Sequence, residues 1–389
     1  MTPARSAFLL LLVIYLGFIS LGLPDGTLGV AWPPLHTELN LPVGLAGTVL
    51  IIATLLSATA AFSSGRIIGR FGTGPVVFIS CLLTGSALML VAHAQGIAWI
   101  LIAAVPLGFG AGAVDAGLNG YVARHYGGRH MNWLHACWGI GATGGPLFMA
   151  YALGHGAGWR GGYLAIATVQ LSLALLFLLT LRLWNRVPER NPAHAISHEG
   201  GRAPTAQANS PAGWLSVGIF AIYVAVEMTT GLWAGSILVL ARGISPENAA
   251  LCVASFYGSI TVGRIGVGFV VDRWGNRRLI GIGVGVAIVG AGLFAFATTI
   301  PLAAAALTLL GLGLAPIYPG LMHEVPRRFA PEAVQVVIGR QSGAAALGGA
   351  LLPAAAGWLA AFSLGSIAWT VVVGAVALGL TIRRLNRLT

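Results

Sequence analysis

The sequence predicts an all-α integral membrane protein, with twelve transmembrane helices in two pseudo-symmetric six-helix bundles. Of 389 residues, 57% are hydrophobic and only 8% charged, with a mean hydropathy of +0.86. Soluble domains carry roughly 25% charged residues, which excludes a cytosolic fold. Apolar runs of the ~20 residues needed to cross a bilayer recur along the whole chain. The two halves also repeat at an offset of about 203 residues. Lipid offers no partner to a backbone N–H or C=O, so the runs are expected as helices; transmembrane strands would be shorter and would alternate.

In chain order, the first span (7–34) is interrupted by Pro24-Asp25-Gly26, which frees backbone groups and bends the helix. It is too long for a signal h-region, so no cleavable leader is expected. The second span (43–64) runs into GRIIGRFGTG, which starts at Gly65 and reads as a loop. The third is 75–93. The fourth (97–124) carries Gly108, Gly110, Ala111, Gly112 and Ala113, small residues that let a neighbouring helix approach closely. The fifth (130–154) reads MNWLHACWGIGATGGP, and the sixth is 161–183. Residues 184–212, rich in Pro, Gly, Ser and charge, read as a flexible cytoplasmic linker between domains 1–183 and 213–389. The second half supplies spans 213–241, 247–270, 279–299, 301–322, 334–361 and 364–383.

The repeat ties these spans together. GRIIGRFGTG in the first half answers GFVVDRWGNRR from Gly268 in the second, DAGLN from Asp115 answers YPGLM from Tyr318, and Asp25 falls within one residue of Glu227. Duplicated six-helix halves place a solute site near the midplane and work by alternating access.

The net charge of +11 maps topology and argues against a nucleic-acid partner. All 21 basic residues are Arg, and with the N-terminus inside, 17 fall in cytoplasmic segments. Only Arg160 and Arg242 lie outside, while Arg264 and Arg340 lie within spans. The positive-inside pattern places both termini in the cytoplasm, in a bacterial inner membrane. Cys81, Cys137 and Cys252 sit within spans, with neither a disulfide framework nor a metal-ligand spacing.

Three of the ten carboxylates, Asp25, Asp115 and Glu227, sit inside apolar spans. A carboxylate near the bilayer centre costs at least ~2.5 kcal/mol, so such groups face watery cavities and carry function. Loss of water disfavours the charged form, so these acids can take and release protons near neutral pH. The alternative for Asp25 is a permanently protonated group bonded to a neighbouring helix, and Glu227 is expected either to hydrogen-bond solute hydroxyls or to be a second titrating site. Asp115 and Asn119, four apart, share a helical face. By depth, Asn132 and His135 are expected to join them in one polar cluster, although His135 serves equally well as a helix–helix hydrogen bond. Arg264 needs an anionic partner, either Glu227 or a solute carboxylate, unless it snorkels to the cytoplasmic face ~10 Å away. Trp138, Tyr223, Tyr257 and Tyr318 are at depths where a sugar ring can stack, although most helix aromatics face lipid or pack. Gln341 is expected to hydrogen-bond solute.

GFVVDRWGNRR resembles the loop signature between spans 2 and 3, repeated between 8 and 9, of the major facilitator superfamily. The signature residues here are Gly65, Arg66, Arg70, Gly268, Asp272, Arg273 and Arg277, which the resemblance implies form a gating latch. The first copy has Gly69 where the acid is expected. Asp25, Asp115 with Asn119, MNWLHACWGIGATGGP and GSITVGRIGVG are similar to the fucose–proton symporter branch. Here the fourth-span acid is Asp rather than Glu, and Gly120 replaces the usual Pro.

The expected function is secondary active transport, with proton-coupled symport of a small polar solute, a monosaccharide first. The protein is not expected to be an enzyme: there is no HExxH, GxSxG or P-loop. Protons are the coupling ion and no other cofactor is implied; the unit is a monomer. The alternative is a proton-coupled exporter of drug-like compounds or metabolites, whose cavity would be greasier than Asn119, Asn132 and His135 suggest.

Overall fold

The computed structural model describes residues 3–126, 128–184, 187, 208–360 and 362–389. No strand occurs among them, and eleven helical stretches are long and apolar enough to cross a membrane. The twelfth helix, α6 (Gly128–Gly154), is 27 residues long but begins with the polar run that contains His130, Asn132 and His135. The chain divides into two compact units: Met1–Leu28, Pro34–Leu41 and Val49–Glu199, and then Gly29–Pro33, Pro42–Thr48 and Gly200–Thr389.

The first unit is built from α1 (Pro3–Asp25), the two ends of α2 (Thr27–Glu38), α3 (Leu45–Phe71) from Val49 onward, α4 (Thr73–Ala92), α5 (Ile97–His125), α6 and α7 (Gly158–Trp184). The expected interruption at Pro24-Asp25-Gly26 is the α1–α2 joint, so the two helices form one span. The second unit contains α8 (Pro211–Ser236), a π-helical turn Ile237–Ala241, α9 (Pro246–Trp274), α10 (Asn276–Phe296), α11 (Ile300–Leu314), α12 (Ile317–Arg328), α13 (Pro331–Ala360) and α14 (Leu364–Leu388). The break between α11 and α12 falls at Pro316, whose ring removes an N–H donor. Helices α8 and α9 begin alike: Ser210 and Ser245 accept from the backbone N–H three residues on, each followed by Pro at the first helical position.

Most of the linker, 185–186 and 188–207, lies outside the described residues. Its last turn is held in place. Arg340 on α13 donates to Ala208 O (2.9 Å) and Asn209 Oδ1 (3.0 Å) and lies over the Trp214 ring.

Inside each unit, glycines set the helix spacing, and they do so at repeat-matched positions. A methyl on Gly108 would collide with Ala53 O, and one on Gly311 with Phe256 O; Gly110 abuts Ser80 O as Gly313 abuts Gly283 O. Each pair of positions is offset by 203, so the repeat read from sequence is a repeat of backbone crossings. In the first unit α1 and α6 cross tightest of all. Gly22 lies against Trp138 O, Gly141 against Ile19 O, Gly145 against Leu23 O and Gly26 against Ala142 O. This is small-xxx-small packing on both helices, which lets two backbones meet where apolar burial gives no advantage over lipid.

The expected loops after spans 2 and 8 prove to be helix. Gly65, Arg66 and Arg70 lie within α3, Gly268, Asp272 and Arg273 within α9, and Arg277 in the first turn of α10. Each connection is a single glycine, Gly72 (φ 82°) and Gly275 (φ 77°), again 203 apart. The left-handed conformation is open to glycine at little cost, so one residue reverses the chain and the flanking residues stay helical.

The two arginines expected outside have structural partners. Arg160 donates to Ala94 O at the end of α4 (2.8 Å), pairs with Glu38 and stacks on Trp159. Arg242 donates to Phe294 O at the end of α10 (2.6 Å) and stacks on Phe294. Each guanidinium satisfies carbonyls at the C-terminal end of a spanning helix, where the helix dipole favours a cation.

Gly141→Val is therefore expected to destabilise the protein by about 1–3 kcal/mol through overpacking. It should lower the detergent-solubilised melting temperature by several degrees. Gly65→Ala, where a methyl meets nothing within 4 Å, should melt unchanged.

Candidate functional site

Helix α8 presents Tyr223, Glu227 and Gly231 at i, i+4 and i+8, and α9 presents Tyr257, Thr261 and Arg264 at i, i+4 and i+7. The two stripes form a polar seam. Glu227 Oε1 lies 3.9 Å from Arg264 Nη2, with only 7% of the Glu227 side chain and 25% of the Arg264 side chain exposed. Arg264 Nη2 also donates to the Tyr223 hydroxyl at 3.4 Å. A methyl on Gly231 would strike the Tyr257 hydroxyl, so the missing side chain is what admits the phenol to α8. Tyr318, just past the α11–α12 break, completes the group. Its ring stands 5.6 Å from Tyr223 and 4.9 Å from Phe220, and the residue is half-buried. Of the two partners expected for Arg264, Glu227 is the one found.

Gln341, expected as a solute contact, is wholly buried. Its amide donates to Ser216 Oγ at 2.7 Å, linking α13 to α8.

In the first unit the acids are exposed. Asp115 is an exposed side chain whose described side-chain partner is Asn119 (Nδ2 to Oδ1, 2.9 Å), and the same amide also reaches Asp115 O. Asp25, also exposed, accepts from the Trp138 indole (Nε1 to Oδ2, 2.7 Å). His135 is exposed on α6 one turn before Trp138 and meets the Phe18 ring edge-on at 5.7 Å. The structure thus joins Asp115 to Asn119, and His135 to Phe18 on α1. The side chain of Asn132 lies outside the described residues. A carboxylate facing lipid is costly.

One charge cluster was missed in the sequence. Glu324 on α12, nearly fully buried, receives Arg277 (3.1 Å) and Arg327 (3.2 Å), with Arg328 at 3.9 Å. The signal was present in HEVPRR, an acid followed by basic residues at i+3 and i+4. The acid that engages Arg277 of the signature is thus Glu324. Among the described residues no group of His, Cys, Asp and Glu could hold a metal ion, and the three cysteines are free.

A buried ion pair that loses one member leaves an uncompensated charge. Arg264→Gln should therefore cost about 3 kcal/mol, and Arg264→Gln combined with Glu227→Gln distinctly less. Melting temperatures of the two single variants and the double variant, combined as a double-mutant cycle, measure the coupling.

No curated protein sequence matches the chain. Among solved structures it is similar to a bacterial homolog of the human lysosomal transporter Spinster in an inward-facing and occupied conformation. That likeness has a TM-score of 0.76 at 16% identity, covering 100% of this chain and 98% of that one. A second structure of the Spinster homolog, inward-facing and unoccupied, gives a TM-score of 0.70 at 15% identity, with 98% and 95% covered. A mutant of the nucleoside transporter NupG gives 0.72 at 14% identity, with 96% and 98% covered. At these identities the likeness establishes the fold. The sequence itself matches one family over residues 14–228 and again over 215–387, so that each half matches separately, as a duplicated fold requires. This multi-pass membrane protein belongs to the Major Facilitator Superfamily of transporters.

Proposed function

We propose that the chain is a proton-coupled symporter of a small polar solute, with a monosaccharide as the leading substrate. It is placed as a monomer in a bacterial cytoplasmic membrane with both termini inside. The carrying observation is Asp115: a carboxylate within a spanning helix, exposed, and bonded to the neutral amide of Asn119. A neutral amide leaves the carboxylate free to cycle between charged and uncharged forms, which a tight guanidinium partner would oppose. Glu227 differs, because Arg264 already stands beside it. In this reading Asp115 and Asp25 carry protons, while Glu227 orients Arg264 and the Tyr223 hydroxyl toward solute.

The chemistry of the seam fits a hydroxylated ring. Of the three tyrosines expected to meet solute, Tyr223 and Tyr257 are fully buried and only Tyr318, half-buried, offers a ring face, while the Glu227–Arg264 pair offers acceptors and donors without net charge. A proton crossing 100 mV supplies ~2.3 kcal/mol, enough for a one-proton cycle to concentrate a neutral solute tens-fold.

The test is a proteoliposome assay with a lumenal pH dye and a panel of hexoses, pentoses, sugar acids and one cationic dye. Lumen acidification on adding a sugar outside, abolished by Asp115→Asn, is the expected result. Silence with every sugar, together with acidification driven by efflux of the cationic dye, would replace symport by export.

A further inference from the structure

We propose that Glu227 sets the charge class of the solute: by neutralising Arg264 it makes the α8–α9 seam accept uncharged solutes and refuse their anionic and cationic relatives. This rests on the reading above that the seam meets solute. Glu227 Oε1 and Arg264 Nη2 lie 3.9 Å apart, which is beyond hydrogen-bond length. The carboxylate therefore acts on the guanidinium by charge. A buried ion pair is often no more stabilising than apolar residues of the same volume. Holding α8 to α9 does not by itself call for two charges at this place.

Exposure gives the pair a direction. Arg264 is the more accessible member, with 25% of its side chain exposed against 7% for Glu227. An approaching solute meets the guanidinium first, with the carboxylate behind it. The other polar side chains of the seam, Tyr223, Tyr257, Thr261 and Tyr318, bear hydroxyls and carry no formal charge. The acid on α12, Glu324, is held by Arg277 and Arg327. Among the described residues, one carboxylate and one guanidinium thus balance the seam.

In a poorly hydrated site an unbalanced charge is weakly screened. A solute carboxylate brought to Arg264 meets the Glu227 carboxylate beyond it, and a solute ammonium meets the guanidinium. Either way the seam holds one charge in excess, desolvated and without a partner, which is the costly arrangement. A hydroxylated ring brings no charge and needs only the donors and acceptors that the pair and Tyr318 supply. The filter has a sign. Loss of the Glu227 charge leaves a positive excess that admits anions, and loss of the Arg264 charge leaves a negative excess that admits cations. The sign holds whatever else touches Arg264, because each substitution changes the local charge by one unit.

The test uses two trios whose members share a ring and differ in charge. One is galactose, galacturonate and galactosamine; the other is nicotinamide, nicotinate and aminomethylpyridine. Binding to the detergent-solubilised full chain near neutral pH is read from melting-temperature shifts over a concentration series. The native protein is expected to bind the neutral member of a trio about tenfold or more tighter than either charged one. Glu227→Gln should raise the affinity for the anion about tenfold relative to the neutral member, and Arg264→Gln should do the same for the cation. Glu227→Asp, which keeps the charge, should keep the native order. If one single variant does not fold, the other decides by its sign; if neither folds, the native order of preference decides. Variants whose preferences do not follow the sign of the lost charge overturn the proposal, and so does silence with both trios. Galacturonate bound as tightly as galactose by the native protein would keep the sugar reading and sink the filter. Silence of the sugars, with the aromatic trio following the sign, would sink the sugar reading and leave the filter standing.

Discussion

Lipid supplies neither water nor hydrogen-bond partners, and the placement of every polar group in the spanning helices answers to that lack. Where two opposite charges are buried they lie together, as Glu227 and Arg264 do at 3.9 Å. Where a carbonyl end would be left bare, an arginine closes it, Arg160 at α4 and Arg242 at α10. Asp25, Asp115 and His135 are among the polar side chains left exposed on spanning helices. The same lack explains the glycines. Helices that gain nothing by burying apolar surface against each other must gain by close packing, and Gly108, Gly141 and Gly311 permit it.

Two six-helix units from one duplicated sequence have kept the same frame and diverged in chemistry. The glycine crossings and the single-residue joints at Gly72 and Gly275 recur at an offset of 203. The polar positions within the spans do not recur in kind. Asp115 is answered by Tyr318, and Asp25, bonded to an indole, is answered by Glu227, paired with a guanidinium. Close backbone contacts tolerate little change, whereas a side chain aimed into open space is free to change. One unit thereby carries the exposed acids and the other an aromatic seam with a neutralised ion pair.

Much was legible in the sequence because its causes are local. Composition and run length specify spanning helices, and the cost of a lone charge in lipid marks Arg264 as needing an anion, with Glu227 one of the candidates. The extent of helix around the signature was misjudged for an equally physical reason. Its glycines and charges read as a loop, but only Gly72 and Gly275 take the left-handed conformation that a reversal needs. The other glycines, such as Gly65 and Gly268, sit in helix with open space beside them.

What the sequence alone determined is the class of the protein, its twelve spans, its internal repeat and the short set of residues too polar for their surroundings. Periodicity, charge and solvation act on the chain one residue or one turn at a time. Tertiary structure decided which of those residues touch. It gave the Trp138 indole to Asp25, turned Gln341 inward to Ser216, set His135 against Phe18 and buried Glu324 among three arginines. These pairings depend on where two helices cross to within an ångström. That distance is set by which glycines face each other, across sequence separations of more than a hundred residues in the case of α1 and α6.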